Sequence, residues 1–380
     1  MRPALVVMAL CSALMIAVVM RAGTFEEWSR PTTAGAEGYD GQFSLSIAVD
    51  PARSPDLIAA VCRDFWLPGY FYTPELHRQF ARIWRCEMPG YRLQRILHAA
   101  LAFVGKFAFG GGRDAALIAL ALVNVIMLGV GTWAVGELLR AERYSRWWAL
   151  CYGLFPGLFF AARAVTTEPL AYGLAVLGIW AALNRKNLGL AGAFFALAAL
   201  AKETTLFFPA GLAAYYALRR EFRAAFGLML MAVLPFVAWQ FVIRAWVGTF
   251  GVGSGGAGST SFELIPFNGL WRIPARQPAD IAPVLFIYPV LTALIPTVWA
   301  FVTGLRRVWR GPLHPYTYLL LANAAIMPFV PVSTYETPFG IIRFLPGLAV
   351  CTLLYAAHFR NRRVMLYTTL WVALGGVFIG

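Results

Sequence analysis

Residues 115 to 138 read AALIALALVNVIMLGVGTWAVGEL, an apolar run with a single charged residue. At 1.5 Å per residue such a run crosses the ~30 Å hydrocarbon core of a bilayer as one helix. It ends in Arg140-Ala-Glu-Arg-Tyr-Ser-Arg146, a basic connection of the kind that stays on the cytoplasmic side. The rest of the chain has the same character. Of its 380 residues 60% are hydrophobic and only 13% charged, with a mean hydropathy of +0.66, where soluble domains carry about a quarter of charged residues. The chain reads as an all-α, polytopic transmembrane helical bundle in a single domain spanning residues 1–380.

Upstream, residues 4–20 form an apolar run behind Arg2, and Met20-Arg21-Ala22 is a poor signal-peptidase site because small residues are wanted there. We read it as a retained first span with a cytoplasmic N-terminus. Residues 21–94 are the one long polar region, a large first external loop, and a loop of that length is usually functional. Residues 94–109 are apolar but short and interrupted by His98 and Lys106. A full crossing there would turn the basic connection at 140–146 outward, so this segment is expected to be re-entrant or incomplete.

Downstream, apolar runs at 147–162, 170–183, 188–201, 204–218, 225–247, 281–304, 316–331, 341–357 and 364–380 alternate with polar turns. With the runs upstream, that amounts to about 11 to 12 apolar segments. The net charge of +14 and pI near 9.9 come from Lys and Arg at the ends of these runs, including Arg306, Arg307, Arg310, Arg360, Arg362 and Arg363. That placement is the positive-inside pattern and excludes a nucleic-acid partner. Gly251-x-Gly253-x-x-Gly256 formally matches a dinucleotide fingerprint, but no strand precedes it and no βαβ unit contains it, so it reads as a flexible second external loop.

Ionisable residues close to membrane depth are costly and therefore functional candidates. Once the cytoplasmic clusters are set aside, Asp40, Arg95, Arg163, Glu168, Lys202, Glu203, Glu336 and Arg343 remain, all expected at the external face. Each has a structural alternative. Asp40 precedes Gly41 and suits a turn, Thr167 before Glu168-Pro169 suits a helix start, and Arg343 could snorkel from a helix end.

Asp40 lies in Gly38-Tyr39-Asp40-Gly41-Gln42-Phe43. This stretch resembles the Tyr-Asp-Gly-Gln-aromatic signature at the start of the first external loop in bacterial members of the GT-C class of integral membrane glycosyltransferases. Gly340-Ile-Ile-Arg-Phe-Leu-Pro346 resembles the late Arg-aromatic-x-x-Pro element of that class, and Thr166-Thr167-Glu168-Pro169 and Lys202-Glu203 resemble its short external turns. The resemblance implies a glycosyltransferase that moves a sugar, with inversion, from a polyprenyl-phosphate donor to a glycan, lipid or protein acceptor. Asp40 would be the catalytic base. Tyr39, Gln42, Arg95, Arg163, Glu168, Lys202, Glu203 and Arg343 would contact substrate, with Arg343 and Lys202 on the phosphate.

Some relatives hold a divalent ion between paired acids, whereas Asp40 has no acidic neighbour within two positions. No cofactor is therefore expected, and a divalent metal is not favoured. Ser44 also stands where an aromatic often follows Phe43 in that class. Cys62 and Cys86 share the first loop and could form a disulfide if it faces an oxidising compartment. The expected location is a bacterial inner membrane, with the active site on the periplasmic side. A transporter or flippase for lipid-linked sugars, or a non-catalytic protein of envelope assembly, would use some of the same residues.

Overall fold

The computed structural model describes residues 1–22, 40–64, 88–256 and 259–374, and among these every regular element is helical. Helix α1 (Arg2–Ala22) is followed by four short helices from the first long loop and its return: α2 (Gly41–Val49), α3 (Ser54–Asp64), α4 (Pro89–Leu93) and α5 (Ile96–Gly105). The bundle continues through α6 (Arg113–Ala141), α7 (Pro156–Arg163), α8 (Glu168–Leu183), α9 (Leu188–Ala201), α10 (Phe207–Leu218) and α11 (Phe222–Val247). Then come α12 (Ala282–Arg310), which carries a π turn at Val290–Leu294, and α13 (Pro315–Ala325). A pair bent by 48°, α14 (Pro338–Phe344) and α15 (Pro346–His358), leads to α16 (Arg362–Leu374). Tyr39 and the side chains of Cys62 and Cys86 lie outside the described residues.

Among the described residues, α6, α11 and α12 are long and apolar enough to cross a membrane, and the bent α14–α15 pair makes a fourth if it is one span. The structure thus differs from the expectation of 11 to 12 uniform segments. Among the described residues the apolar runs are mainly helical, but many of the helices are short. Helix α8 has 16 residues and α9 has 14, about 24 and 21 Å. Proline is one physical reason. Pro156, Pro169, Pro315, Pro338 and Pro346 each stand in the first turn of a helix, where the missing N–H costs least, so each starts a new element within or beside an apolar run. Helix α5 is ten residues long, about 15 Å, too short to cross the core.

The long helices show what surrounds the protein. On α11, Phe222, Phe226, Leu230, Leu234, Val237 and Phe241 are exposed at steps of three and four residues, and on α12 so are Val284, Ile287, Leu291, Ile295, Val298, Val302 and Leu305. Each set is one continuous apolar stripe left exposed among the described residues. Water would penalise such stripes, whereas lipid accepts them. This is an integral membrane protein. Helix α8 is the opposite case, buried along almost its whole length between α6 and α9, and it carries Glu168 at its first position into the centre of the bundle.

Two close backbone approaches set the polar centre. Midway along α6, the Asn124 amide donates to the Thr166 carbonyl at 2.9 Å, fixing the α7–α8 turn. Val165 in that turn sits at φ 48°, a left-handed conformation that is strained for a β-branched residue. Gly41 lies directly against it: a Cβ there would collide with the Ala164 carbonyl and come within 2.9 Å of the Val165 side chain. Gly157 on α7 plays the same part for α14, since a Cβ there would collide with the Ile342 carbonyl, next to Arg343. Pro346 lacks the N–H that would otherwise bond that carbonyl four residues back.

The far end of α6 is basic. Glu137 there pairs with Arg140 at 2.7 Å and Arg146 at 2.8 Å, and Arg360 lies over the Tyr144 ring at 4.9 Å. Asn124 and Glu137 are separated by about 20 Å along the helix, so the α7–α8 turn and the basic end occupy different levels of the bundle.

Gly41→Ala should lower the stability of the purified protein by about 1–3 kcal/mol through overpacking against Ala164 and Val165. Thermal unfolding in detergent checks this, with Gly227→Ala as control because a Cβ at Gly227 meets open space. Equal unfolding temperatures for the two variants would contradict the close approach.

Candidate active site

Five separated stretches bring their charged side chains to the level of the Thr166 turn. Asp40 immediately precedes α2, and its two carboxylate oxygens are held by different arginines. Arg92 Nη1 donates to Oδ1 at 2.7 Å, and Arg343 Nη2 donates to Oδ2 at 2.8 Å. Behind it, Glu168 Oε1 accepts from Lys202 Nζ at 2.7 Å and from Arg343 Nε and Nη2 at 3.0 and 2.7 Å. Lys202 Nζ also lies 3.4 Å from the Arg343 carbonyl. To one side, Arg95 grips Glu203 in a two-point contact of 2.6 and 3.0 Å.

Local sequence explains each placement. Lys202 is the C-cap of α9 in extended conformation, turned inward as the helix ends, and Glu203 opens the single 3₁₀ turn that follows. Arg343 is in the last turn of α14, just before the Pro346 bend. Glu168 stands at the N-terminal end of α8, where the helix dipole favours a carboxylate. The helix does start there, with Thr167 at its N-cap position and Pro169 in the first turn, although the Thr167 hydroxyl itself makes no capping bond. The Thr166 hydroxyl instead bonds back to the Ala161 carbonyl at 3.3 Å.

The cluster is graded from wet to dry. The Glu168 side chain is fully buried, and Lys202 and Arg343 are nearly so, whereas the Asp40 and Glu203 side chains each keep 27% exposure. Asp40, Phe43, Ser44, Arg92, Arg95, Thr166, Thr167 and Arg343 line a small cavity. Burial alone would push the Asp40 carboxyl upward, but Arg92 and Arg343, with Arg95 behind them, outweigh it and hold Asp40 well below the usual carboxylate range. Glu203, on its connecting turn, is likewise held down: burial raises it, and the Arg95 guanidinium more than offsets that. Three carboxylates thus face four cations, leaving one positive charge in excess. The second oxygen of Glu168, Oε2, is buried without a hydrogen-bond partner among the described residues.

Of the residues expected at the site, Asp40, Arg95, Glu168, Lys202, Glu203 and Arg343 are brought together. Gln42 is half-buried on α2 and lies outside the cavity lining, and Arg163 ends α7 and is not in that lining either. Glu336, grouped with the others in sequence, pairs instead with Arg276 at 3.0 Å and Gln277 at 3.2 Å at the end of the 248–280 loop. The glycine-rich part of that loop is capped from α11: Gln240 Oε1 accepts from the Gly251 and Val252 amides at 2.9 and 3.0 Å.

Sequence reasoning missed Arg92. Its only signal was the spacing Arg92-Leu-Gln-Arg95, which sets two guanidiniums one turn apart.

A second group of possible ligands, Glu142, His314 and His358, lies at the basic end, with ligand atoms within 4.8 Å of one another. The two imidazoles are stacked at 3.4 Å and tilted by only 16°. Their in-plane lone pairs therefore do not meet at one point, and the group reads as a clip. His358 Nδ1 bonds Glu142 at 2.9 Å, and His314 Nδ1 accepts from the Tyr316 amide at 3.3 Å.

No family model and no curated protein matches the sequence. Among solved structures, the chain is similar to ArnT from Cupriavidus metallidurans in the apo state, at a TM-score of 0.46 and 18% identity. That alignment covers 94% of this chain and 62% of the other. A likeness of this degree transfers no activity to the present chain.

Proposed function

We propose that this protein is a membrane glycosyltransferase that moves a sugar from a polyprenyl-phosphate donor to a hydroxyl-bearing acceptor, with Asp40 as the base. The observation that carries the reading is the cluster itself. A part-exposed carboxylate sits at the mouth of a cavity, and fixed cations stand directly behind it.

The chemistry needs a proton acceptor, charge stabilisation at the leaving group and exclusion of competing water. In the proposed step the acceptor oxygen attacks the anomeric carbon and its proton passes to Asp40. The bond from that carbon to the phosphate oxygen breaks, and its electron pair leaves with the polyprenyl phosphate. Arg343 and Arg92 stand nearest to where that charge collects. The planar fork of Arg suits phosphate oxygens better than the point charge of Lys. Lys202 and Glu168 then serve mainly to lock Arg343: buried on three sides, it cannot turn away without uncovering a buried carboxylate. Displacement opposite the leaving phosphate inverts the anomeric centre.

A divalent ion does not suit this site as built. Both Asp40 oxygens are already paired, and the four side-chain cations would repel another positive charge. By the positive-inside pattern the end carrying Arg140, Arg146 and Arg360 is cytoplasmic, which places the cluster toward the external, periplasmic side in this proposal.

The reading is tested by turnover of purified protein with a panel of radiolabelled polyprenyl-phosphate sugars. Wild type should release lipid phosphate and transfer sugar, and Asp40→Asn should bind donor but lose at least about 10²-fold in kcat, the lower range for a removed general base. Equal turnover by the two folded proteins would remove Asp40 from the chemistry. If none of the donors is consumed while the same lipids cross a vesicle membrane, the protein is a flippase.

The pH profile gives a second test. Because Asp40 is held low in the folded protein, its charged form persists until the pH falls through that depressed value. The acidic limb of kcat/KM should therefore lie well below the ordinary carboxylate value of about 3.9, or be masked by acid unfolding. Arg343→Gln should bring the limb up toward it. A wild-type limb near neutrality would contradict the assignment.

A further inference from the structure

We infer that residues 262–271 form a lipid-inserted hook: Phe262, Leu264, Ile265 and Trp271 enter the bilayer leaflet opposite the basic end and hold there the segment that leads into α14. The inference is independent of the chemistry at Asp40.

The hook is turned inside out relative to a loop made for water. In Phe262-Glu263-Leu264-Ile265 the charged residue points inward. Glu263 accepts from the Asn268 amide at 2.8 Å and from Arg272 at 3.1 Å, and its side chain is only 10% exposed. Its apolar neighbours point outward, with Leu264 94%, Ile265 67% and Phe262 53% exposed among the described residues. Water would penalise this arrangement at each of those side chains. The backbone beneath them is held in place. The Glu263 amide donates to the Phe329 carbonyl at 2.9 Å and the Phe267 amide to the Pro328 carbonyl, while the Thr260 amide and hydroxyl each lie 3.1 Å from the Ser333 hydroxyl. Leu270 and Ile273 are fully buried. Phe267 is kept at φ 60°, a left-handed conformation that costs free energy for an aromatic residue. A fixed frame therefore presents the exposed side chains.

Their position says what they meet. The Trp271 ring packs on Phe286 of α12 at 5.5 Å, between Val284 and Ile287, which open the exposed stripe of that helix. Hook and stripe thus form one apolar surface. Depth agrees. Helix α13 starts next to His314 at the basic end; its 11 residues rise about 16 Å, and the 3₁₀ turn Met327–Phe329 adds about 6 Å. Phe329, to which the hook is pinned, is then about 22 Å from that end, short of the ~30 Å of hydrocarbon. The hook also carries α14 with it. A Cβ on Gly269 would lie 2.6 Å from the Val330 carbonyl, and Arg276 and Gln277 hold Glu336 just before α14 and its Arg343.

Photo-crosslinking of the full-length protein in nanodiscs of phosphatidylethanolamine and phosphatidylglycerol tests the inference, with p-benzoylphenylalanine at one position at a time and adducts read by intact mass. Leu264→p-benzoylphenylalanine should give lipid adducts at a yield close to that of the same probe at Leu230, on the exposed stripe of α11. It should exceed several-fold the yield at Glu221, in the connection before that helix. Thermal unfolding checks each variant, and Ile265 takes the probe if the Leu264 variant does not fold. Lipid adducts at Leu230 without any at the hook would place the hook in water and overturn the insertion. Adducts that join two copies of the chain would overturn it as well, in favour of a protein contact.

Discussion

The buried carboxylate of Glu168 is the constraint from which the polar centre follows. A lone ionised carboxylate inside an apolar bundle is prohibitively costly, and removing one partner from a buried pair typically costs about 3–5 kcal/mol. Glu168 is viable because Lys202 and Arg343 converge on a single one of its oxygens. To deliver them, α9 must end at Ala201 and α14 must stop before Pro346. Helices that would otherwise cross in one piece are therefore cut short at this level, and the end of α14 and the α7–α8 turn bring Arg343, Thr166 and Thr167 to the cavity. The irregular backbone is tolerated at depth because it is covered by protein rather than lipid.

Much of this centre was legible in the sequence. Ionisable residues at the edges of apolar runs are few, and Asp40, Arg95, Glu168, Lys202, Glu203 and Arg343 do meet. The signal is physical: a charge at membrane depth needs a partner, so such residues find one another. What failed had physical causes too. Glu336 met Arg276 first, a partner within reach on its own side of the second loop. Arg163 and Gln42 were chosen by position along the chain, which does not fix the direction of a side chain. Arg92 was hidden among the arginines of a long loop, where hydropathy carries no information. The division of apolar runs into short helices was also missed, since hydropathy averages over the prolines that start each new helix.

Glycine and strain tie the motif to the fold. Gly41 was met in sequence as part of a signature around Asp40, and in the structure its absent side chain lets that segment touch the Ala164–Val165 backbone. The same turn holds Val165 in a left-handed conformation and is pinned by Asn124 from α6. A polar residue in a long apolar helix is thus what fixes the approach of Asp40 to the cluster. The result is a carboxylate held in its charged form between two guanidiniums at the cavity.

The central claim is that these cations exist to hold the phosphate of a lipid carrier. A cryo-EM structure of the protein in nanodiscs with decaprenyl phosphate tests it most directly. The account predicts phosphate density within hydrogen-bond distance of Arg343, with the Glu168–Lys202 pair unchanged. Phosphate bound elsewhere on the bundle, away from Arg343, would contradict it.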